Sequence, residues 1–505
     1  MKQLSGSDTF FLLGEHGNVY NHIALLMIYD VSTAPKGIVR YKDVLRHFQE
    51  RLGAHPVFRR RLVTPPLGID RPYWVEDQSI DLEFHVRHIA LPKPGDWRQL
   101  MIQAARLHSR PLDRVHPLWE AYIIEGLDNI PKLPPGSFAM LLKLHHSAVD
   151  DVAGVQLAGK IHSARAEIPP AASEPAMIAL EDPPVTFELL TRTLTHTAER
   201  VGQLGRLAFR TAGMAVALGK EQLEKLSGSR DVTLTLAPPP HTRFDNPVSA
   251  NRITEGFGMP HSRIDRVREK LPGTSAHDVI VATVGGGLRR YFAVRKELRD
   301  QSLVAFMPVE MGIPGSGASN GSQPALIQVH SNIADPIERL RAVSLDSSKA
   351  PLDTESMGSA LFANLLDVAP AFVSNFVVSK LVTRNYNLSL GTVAGPETPL
   401  YLAGARAMCL YSFGMPADGA GLVVSGVSYN RVTWLSMVAC REMLPDPAVF
   451  LRCMQESWGE LLAAADALPV PVVSPRRQGA GRRISAKTRG RAQNTGRTGN
   501  KRKAA

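Results

Sequence analysis

Cysteine is the scarcest clue. Only Cys409, Cys440 and Cys453 occur in 505 residues, in no metal-ligand spacing and too sparse for a disulfide framework, so a reducing cytosol is the expected setting. The opening residues Met1 to Asp8 lack the apolar core of a secretory leader, and no uncharged apolar run reaches the roughly 18 residues a membrane span needs. The chain is therefore expected not to cross a membrane, which leaves it able to lie on one. Acidic residues are missing from 475–505, where Arg476, Arg477, Arg482, Arg483, Lys487, Arg489, Arg491, Arg497, Lys501, Arg502 and Lys503 gather. They account for the whole formal charge of +11, and without them 47 basic residues face 47 acidic ones. The folded body is thus neutral and offers no basic binding surface of its own. The same tail has no aromatic residue for base stacking, so nucleic acid is not the expected partner; anionic lipid fits its charge equally well.

What remains is ordinary globular material. A 44% hydrophobic content over this length allows two or three domains with large cores. The run His22–Tyr29 reads as an apolar strand, a helix is expected from about Lys42 to Leu52, and Leu82 to Ile89 alternates with period two like a half-buried strand. Further strands are expected at 121–125 and 137–142, so the class is α/β or α+β. Pro169, Pro170, Pro175, Pro183 and Pro184 break the chain between 163 and 186, ending a first domain there. An amphipathic helix follows with Phe187, Leu190, Leu194, Val201, Leu204 and Ala208 on its apolar side. It suits packing on or between domains, with an interfacial lipid-binding helix as the alternative. The domains expected are 1–165, a linker over 166–240, 241–473, and a disordered basic tail over 474–505.

Two motifs carry less than they promise. Gly285-Gly286-Gly287 sits inside a helical pattern beginning at Ser275, with no strand feeding it and no Lys-Ser/Thr after it; close helix packing is expected rather than a phosphate loop. Gly317-Ala318-Ser319-Asn320-Gly321 fits G-x-S-x-G, but it is followed by the strand-like Gln323–Val329 where a nucleophile elbow needs a helix. The apolar region 361–382 is split by Asp367 and Pro370 and reads as core or a tunnel wall.

The stretch Lys143-Leu144-His145-His146-Ser147-Ala148-Val149-Asp150-Asp151 stands apart. A strand entered from Pro134-Pro135-Gly136 delivers two histidines and then two carboxylates into a turn, and a helix is expected from Val152 to Ile161. Neighbouring strand residues point to opposite faces, so the two imidazoles cannot readily serve one metal or one site; one is expected to be functional and the other structural. A neutral imidazole can take a proton from an alcohol or thiol at neutral pH. Either histidine is a candidate general base, and Asp150 could orient a ring or hold the turn.

His145-His146-Ser147-Ala148-Val149-Asp150 resembles the His-His-x-x-x-Asp-Gly motif of the CoA-dependent acyltransferase superfamily, and its surroundings resemble the bacterial wax ester synthase/diacylglycerol acyltransferases. The blocks that carry this are Leu4–Asp8, Phe84–His88, Pro111–Arg114 with Pro117–Glu120, Ala334–Leu340 and Pro399–Ala405, in the family's order over roughly residues 3 to 465. The resemblance implies two chloramphenicol-acetyltransferase-like domains joined by a long, partly helical linker around a tunnel. It implies an O-acyltransferase that moves a long-chain acyl group from acyl-CoA to diacylglycerol or a long-chain alcohol, with acyl-CoA as co-substrate and no cofactor or metal. His146 would be the general base, His145 and Asp150 would orient it, and no acyl-enzyme would form. A peripheral site on the inner membrane face or on lipid droplets is implied as well.

Three departures mark this chain. Asp151 stands where the motif has Gly, adding a carboxylate beside the site that would favour imidazolium. The family's Asn-Asp pair falls at His277-Asp278, and its Ser/Thr-Asn-Val-Pro-Gly-Pro block reads Gly391-Thr392-Val393-Ala394-Gly395-Pro396. Asp151, His277, Asp278 and Thr392 are thus the candidate supporting or substrate-binding residues. The alternative they motivate is a weakened or inactive member that binds lipid or lipid droplets.

Overall fold

The computed structural model describes residues 1–65, 70–149, 151–167, 239–310, 322–353 and 386–469. Its first half runs β1 (Lys2–Gln3), α1 (Gly6–Leu13), β2 (His22–Asp30), α2 (Tyr41–Gln49), β3 (Arg60–Val63), β4 (Tyr73–Glu76), α3 (Leu82–His85), β5 (Val86–Ala90), α4 (Trp97–His108), β6 (Trp119–Glu125), β7 (Phe138–His145) and α5 (Asp151–Ile161). The second half continues with β8 (Arg252–Pro260), α6 (His261–Lys270), α7 (Ala276–Val294), β9 (Val304–Glu310), β10 (Ser322–Gln328), α8 (Pro336–Asp353), β11 (Leu388–Ala394), β12 (Tyr401–Leu402), β13 (Ala405–Phe413), β14 (Leu422–Tyr429), β15 (Val432–Cys440) and α9 (Pro447–Ala467). This is the mixed α/β class the sequence implied. Asp150, the linker helix over 187–208, the G-x-S-x-G stretch, the apolar region 361–382 and the basic tail all lie outside the described residues.

β2 and β7 are buried along nearly their whole length because each side of their sheet is covered. Successive residues of β2 feed two cores. Ile23, Leu25, Met27 and Tyr29 pack with α2 and α5, while Ala24, Leu26 and Ile28 pack with α4. The sheet order is β12-β13-β2-β7-β6-β5, and a second sheet is ordered β10-β9-β11-β14-β15-β8. β12 and β13 come from the second half, and β13 pairs antiparallel with β2, Arg406 opposite Asp30 and Phe413 opposite Ala24. The unit expected over 241–473 therefore lends two strands to the first sheet.

One element differs from its pattern. Leu82–Ile89 is not a single strand, because the Asp81 carboxylate accepts the backbone N–H groups of Glu83 and Phe84 and caps a helical turn, α3, before β5 begins. The triple glycine of α7 behaves as expected. A Cβ at Gly285 would strike the Val329 carbonyl, at Gly286 the Arg339 guanidinium and Ser457, and at Gly287 Met454. Glycine costs about 1 kcal/mol per position in a helix relative to alanine. Here it lets α7 approach α8 and α9 closely. β10 directly follows residue 321, so a strand occupies the place of the helix that a nucleophile elbow requires.

Candidate active site

β7 ends on His145, and His146 to Ala148 form the turn that leads into α5. The change of direction is held by Ala148 and Val149, whose N–H groups both reach the His145 carbonyl, at 2.9 and 3.2 Å. The two histidines part company there. His145 is buried, with Nδ1 2.7 Å from Ser147 Oγ and Nε2 3.2 Å from Glu15 Oε1. The Ser147 backbone N–H also points at Nδ1, at 3.1 Å, so Nδ1 accepts and Nε2 carries the hydrogen toward Glu15. Burial pushes this imidazole's pKa down even against the pull of Glu15, which leaves the ring neutral. His146 is half-buried, donates its backbone N–H to the Asn21 carbonyl at 2.8 Å, and stacks its ring on Phe11 with centroids 4.5 Å apart. Asp151 opens α5.

Glu15 is a site residue that sequence reasoning missed. Besides His145 it accepts from Arg114 Nη2 at 2.6 Å and from the Asn21 N–H at 2.7 Å. Burial opposes its charge, yet the hydrogen bonds from His145, Arg114 and Asn21 outweigh that and bring its carboxyl down to about 2. Nothing in the local pattern around Gly14-Glu15-His16 marks it. Arg114, in one of the resembling blocks, was the available signal.

Beneath the strand end lies a second polar cluster, on the His145 side of β7. Lys143 is wholly buried, donating to the Arg110 carbonyl at 2.7 Å and lying 3.4 Å from Glu120 Oε2. Tyr122 donates its hydroxyl to Glu120 at 2.8 Å, and Arg87 lies 3.4 Å from the other carboxylate oxygen. Burial pulls Lys143 down to about 8, with Glu120 working the other way. His22, opposite His145 in the ladder, and His108 are buried too; burial first and Lys143 second hold His22 well below its usual range and His108 at about 3. Among the described residues no group of three His, Cys, Asp or Glu side chains is placed to hold a metal ion.

The second half contributes His277 and Thr392, which the structure brings together. Ser275 caps α7 in a reciprocal box, its hydroxyl accepting from the Asp278 N–H at 3.1 Å while Asp278 accepts the Ser275 N–H at 2.8 Å. One oxygen of Asp278 is thus spent on the helix start. His277, one residue earlier, lies with Nδ1 2.9 Å from Thr392 Oγ1 and Nε2 3.2 Å from Met307 Sδ. A thioether can only accept, so Nε2 carries the hydrogen and Nδ1 accepts from the threonine hydroxyl. β11 packs along α5, and just beyond it a Cβ at Gly395 would sit 3.2 Å from Val155. Thr392 thus stands on the strand that packs along the helix of the His motif, and His277 reaches it from α7.

Residues 4–280 match the wax ester synthase/diacylglycerol acyltransferase catalytic domain, and residues 320–462 match the C-terminal domain of the same family. A putative diacylglycerol O-acyltransferase of Mycobacterium tuberculosis is 28% identical over 479 residues, covering 93% of this chain and 92% of the relative. A probable diacylglycerol O-acyltransferase of the same organism, tgs2, is 30% identical over 475 residues, 91% of this chain and 99% of its own. Among solved structures, the wax ester synthase/diacylglycerol acyltransferase of Marinobacter aquaeolei VT8 superposes with a TM-score of 0.64 at 24% identity, covering 92% of this chain and all of the other. The first condensation domain of the calcium-dependent antibiotic synthetase shares the fold at a TM-score of 0.52 and 15% identity, over 93% and 97% of the two chains.

Proposed function

Since the chain belongs to the wax ester synthase/diacylglycerol acyltransferase family and is an acyltransferase, we propose that it esterifies a long-chain alcohol or diacylglycerol from acyl-CoA with His146 as general base. The observation that carries this assignment is the contrast between the histidines: His145 is buried with both ring nitrogens engaged, whereas His146 keeps partial exposure beyond the strand end. Its Nδ1 is buried, so proton exchange falls to Nε2. In the proposed reaction Nε2 takes the proton of the acceptor hydroxyl as its oxygen attacks the thioester carbonyl. The C–S bond then breaks, and the same nitrogen returns the proton to the CoA thiolate. Both substrates are present together, so no acyl-enzyme is required.

His145, neutral and tied to Glu15 and Ser147, fixes the strand end from which His146 departs, and Asp150 is assigned the orienting role the motif implies. Asp151 stands where the motif has Gly, and a second carboxylate beside the base would favour its protonated form. Thr392, on the strand that packs along α5, is limited to accepting because its proton is committed to His277. No cofactor is needed for this chemistry.

The test pairs labelled palmitoyl-CoA with hexadecanol or diacylglycerol. A positioned general base contributes about 10²- to 10⁴-fold, and His146→Ala is expected to lose turnover on that scale. Equal turnover by variant and wild type would remove His146 from the mechanism; a wild type silent on every acceptor that still binds lipid would point to a lipid-binding role.

Among the described residues no helix is long and apolar enough to cross a membrane. The proposed partner is instead a membrane or droplet surface, met in part by the basic residues of 475–505 at about 1 kcal/mol each. Deleting them is expected to weaken sedimentation with anionic vesicles and to spare turnover of soluble substrate; unchanged sedimentation would refute that role.

A further inference from the structure

His22 stands opposite His145 in the β2–β7 ladder, and the pairing continues one step beyond the strands, where the His146 N–H meets the Asn21 carbonyl at 2.8 Å. Asn21 makes two more bonds. Its own N–H goes to Glu15 Oε1 at 2.7 Å, the oxygen that faces His145 Nε2, and its side-chain amide donates to the Phe11 carbonyl at 2.5 Å. Phe11 is the residue whose ring lies on His146, with planes 19° apart. A closed circuit results, from the backbone of His146 through Asn21 to α1 and back onto the His146 ring.

We propose that Asn21 is a positioning residue of the reaction, clasping α1 so that Phe11 holds the His146 imidazole in one plane. The inference rests on the reading of His146 as the base. Two of the three bonds use the Asn21 backbone and any residue could make them. The third requires a side-chain donor of this length, which is what asparagine supplies. Without it α1 is still held near the motif by Glu15, by the Arg114 bond to the Leu12 carbonyl and by the packing of Leu12 with Leu118, but the Phe11 ring can slide from the imidazole. A shift of about 1 Å at a reacting group costs around 100-fold in rate. Because the clasp orients the base and touches neither substrate, its loss belongs in kcat.

Full-length Asn21→Ala, Asn21→Asp and Phe11→Leu proteins provide the test. The aspartate keeps the shape of the side chain but replaces the donating NH₂ with an acceptor facing the Phe11 carbonyl, so it is expected to do no better than alanine. Each variant is expected to lower kcat by about 10- to 100-fold, with KM for palmitoyl-CoA within about twofold and an unchanged thermal midpoint. Asn21→Ala and Phe11→Leu together should cost no more than the worse of the two alone, since both open the same circuit. A second readout does not depend on turnover. In protein with ¹³C-labelled histidine rings, the His146 ring protons, assigned with His146→Gln, should be shifted upfield by the Phe11 ring. That shift should vanish in Phe11→Leu and shrink in Asn21→Ala. Losses that multiply in the double variant, losses carried by KM, or a His146 signal indifferent to Asn21→Ala would each overturn the clasp. A wild type that transfers no acyl group while the His146 signal still follows Asn21 would refute the base assignment and leave the clasp standing.

Discussion

The two sheets solve the problem of a buried interior in different ways. Among the described residues every buried histidine, His22, His47, His85, His108, His145 and His162, lies in the first half. The second half buries Arg252, Glu255, Asp278 and Arg339 but no histidine among the described residues, and its helix α7 gains its packing from three glycines. Three of these imidazoles tie distant segments together: His47 Nε2 lies 2.7 Å from the Ile161 carbonyl, His162 Nε2 meets the Tyr29 hydroxyl at 2.7 Å, and His85 Nδ1 reaches the Trp119 carbonyl at 2.8 Å. His47 and His162 thereby fasten the end of α5, the helix launched by the reactive turn, while the His145 carbonyl holds the turn at its start. The half that presents His146 is built around neutral imidazoles; the other half is built around shape.

That difference makes acid the sharpest way to break the comparison. Burial lowers His47 to about 4 and His108 and His162 to about 3, against 6.5 for the unfolded chain. Above pH 6.5 both states are neutral at these groups and they add nothing. As the pH falls below 6.5 the unfolded chain binds protons that the fold refuses, so stability drops, and it keeps dropping until the folded values are reached. At pH 5 each of the three costs on the order of 2 kcal/mol. Glu15 acts in a lower window: its carboxyl is depressed to about 2, so its contribution persists until the pH passes below about 4.5. Hydrogen exchange at pH 7 and pH 5, corrected for intrinsic rates, is expected to show β2, β6 and β7 losing protection well ahead of β14, β15 and α9. Equal loss in both sheets would mean that β13, which the second half inserts beside β2, makes them open as one.

Local chemistry explains what the sequence made legible. Apolar runs announced β2, β6 and β7, Ser275 announced α7, and the His-His turn stood out because strand, turn and helix compositions meet there within a few residues. Long-range pairing was not announced. β13 carries nothing that says it crosses to the first sheet beside β2, and Glu15 reaches His145 from 130 positions away. Leu82–Ile89 misled because its alternation is real, while the cap at Asp81 decides the first turn. Asn21 escaped notice since its role depends on Phe11 and His146 converging on it in space. His277 and Thr392 were each singled out in sequence, but only the fold pairs them, at 2.9 Å.

That pair offers the finer measure of how far the second half enters the chemistry. Thr392→Val keeps the shape of the side chain and deletes the hydroxyl, leaving His277 Nδ1 without the donor it accepts from. A net hydrogen bond of this kind is worth about 1 kcal/mol, and up to about 3 kcal/mol if the buried nitrogen stays unsatisfied. The expected result is a loss of stability of about 1 kcal/mol and a fall in kcat of less than about tenfold, since a threonine whose proton is committed to His277 cannot donate to a developing oxyanion. Urea unfolding and steady-state kinetics on the same preparation separate the two effects. A fall beyond about 100-fold at unchanged stability would mean that the hydroxyl turns from His277 to the reacting oxygen once substrate is bound. The second half would then supply charge stabilisation to the transition state, and the division between a reactive half built on imidazoles and a supporting half built on shape would no longer hold.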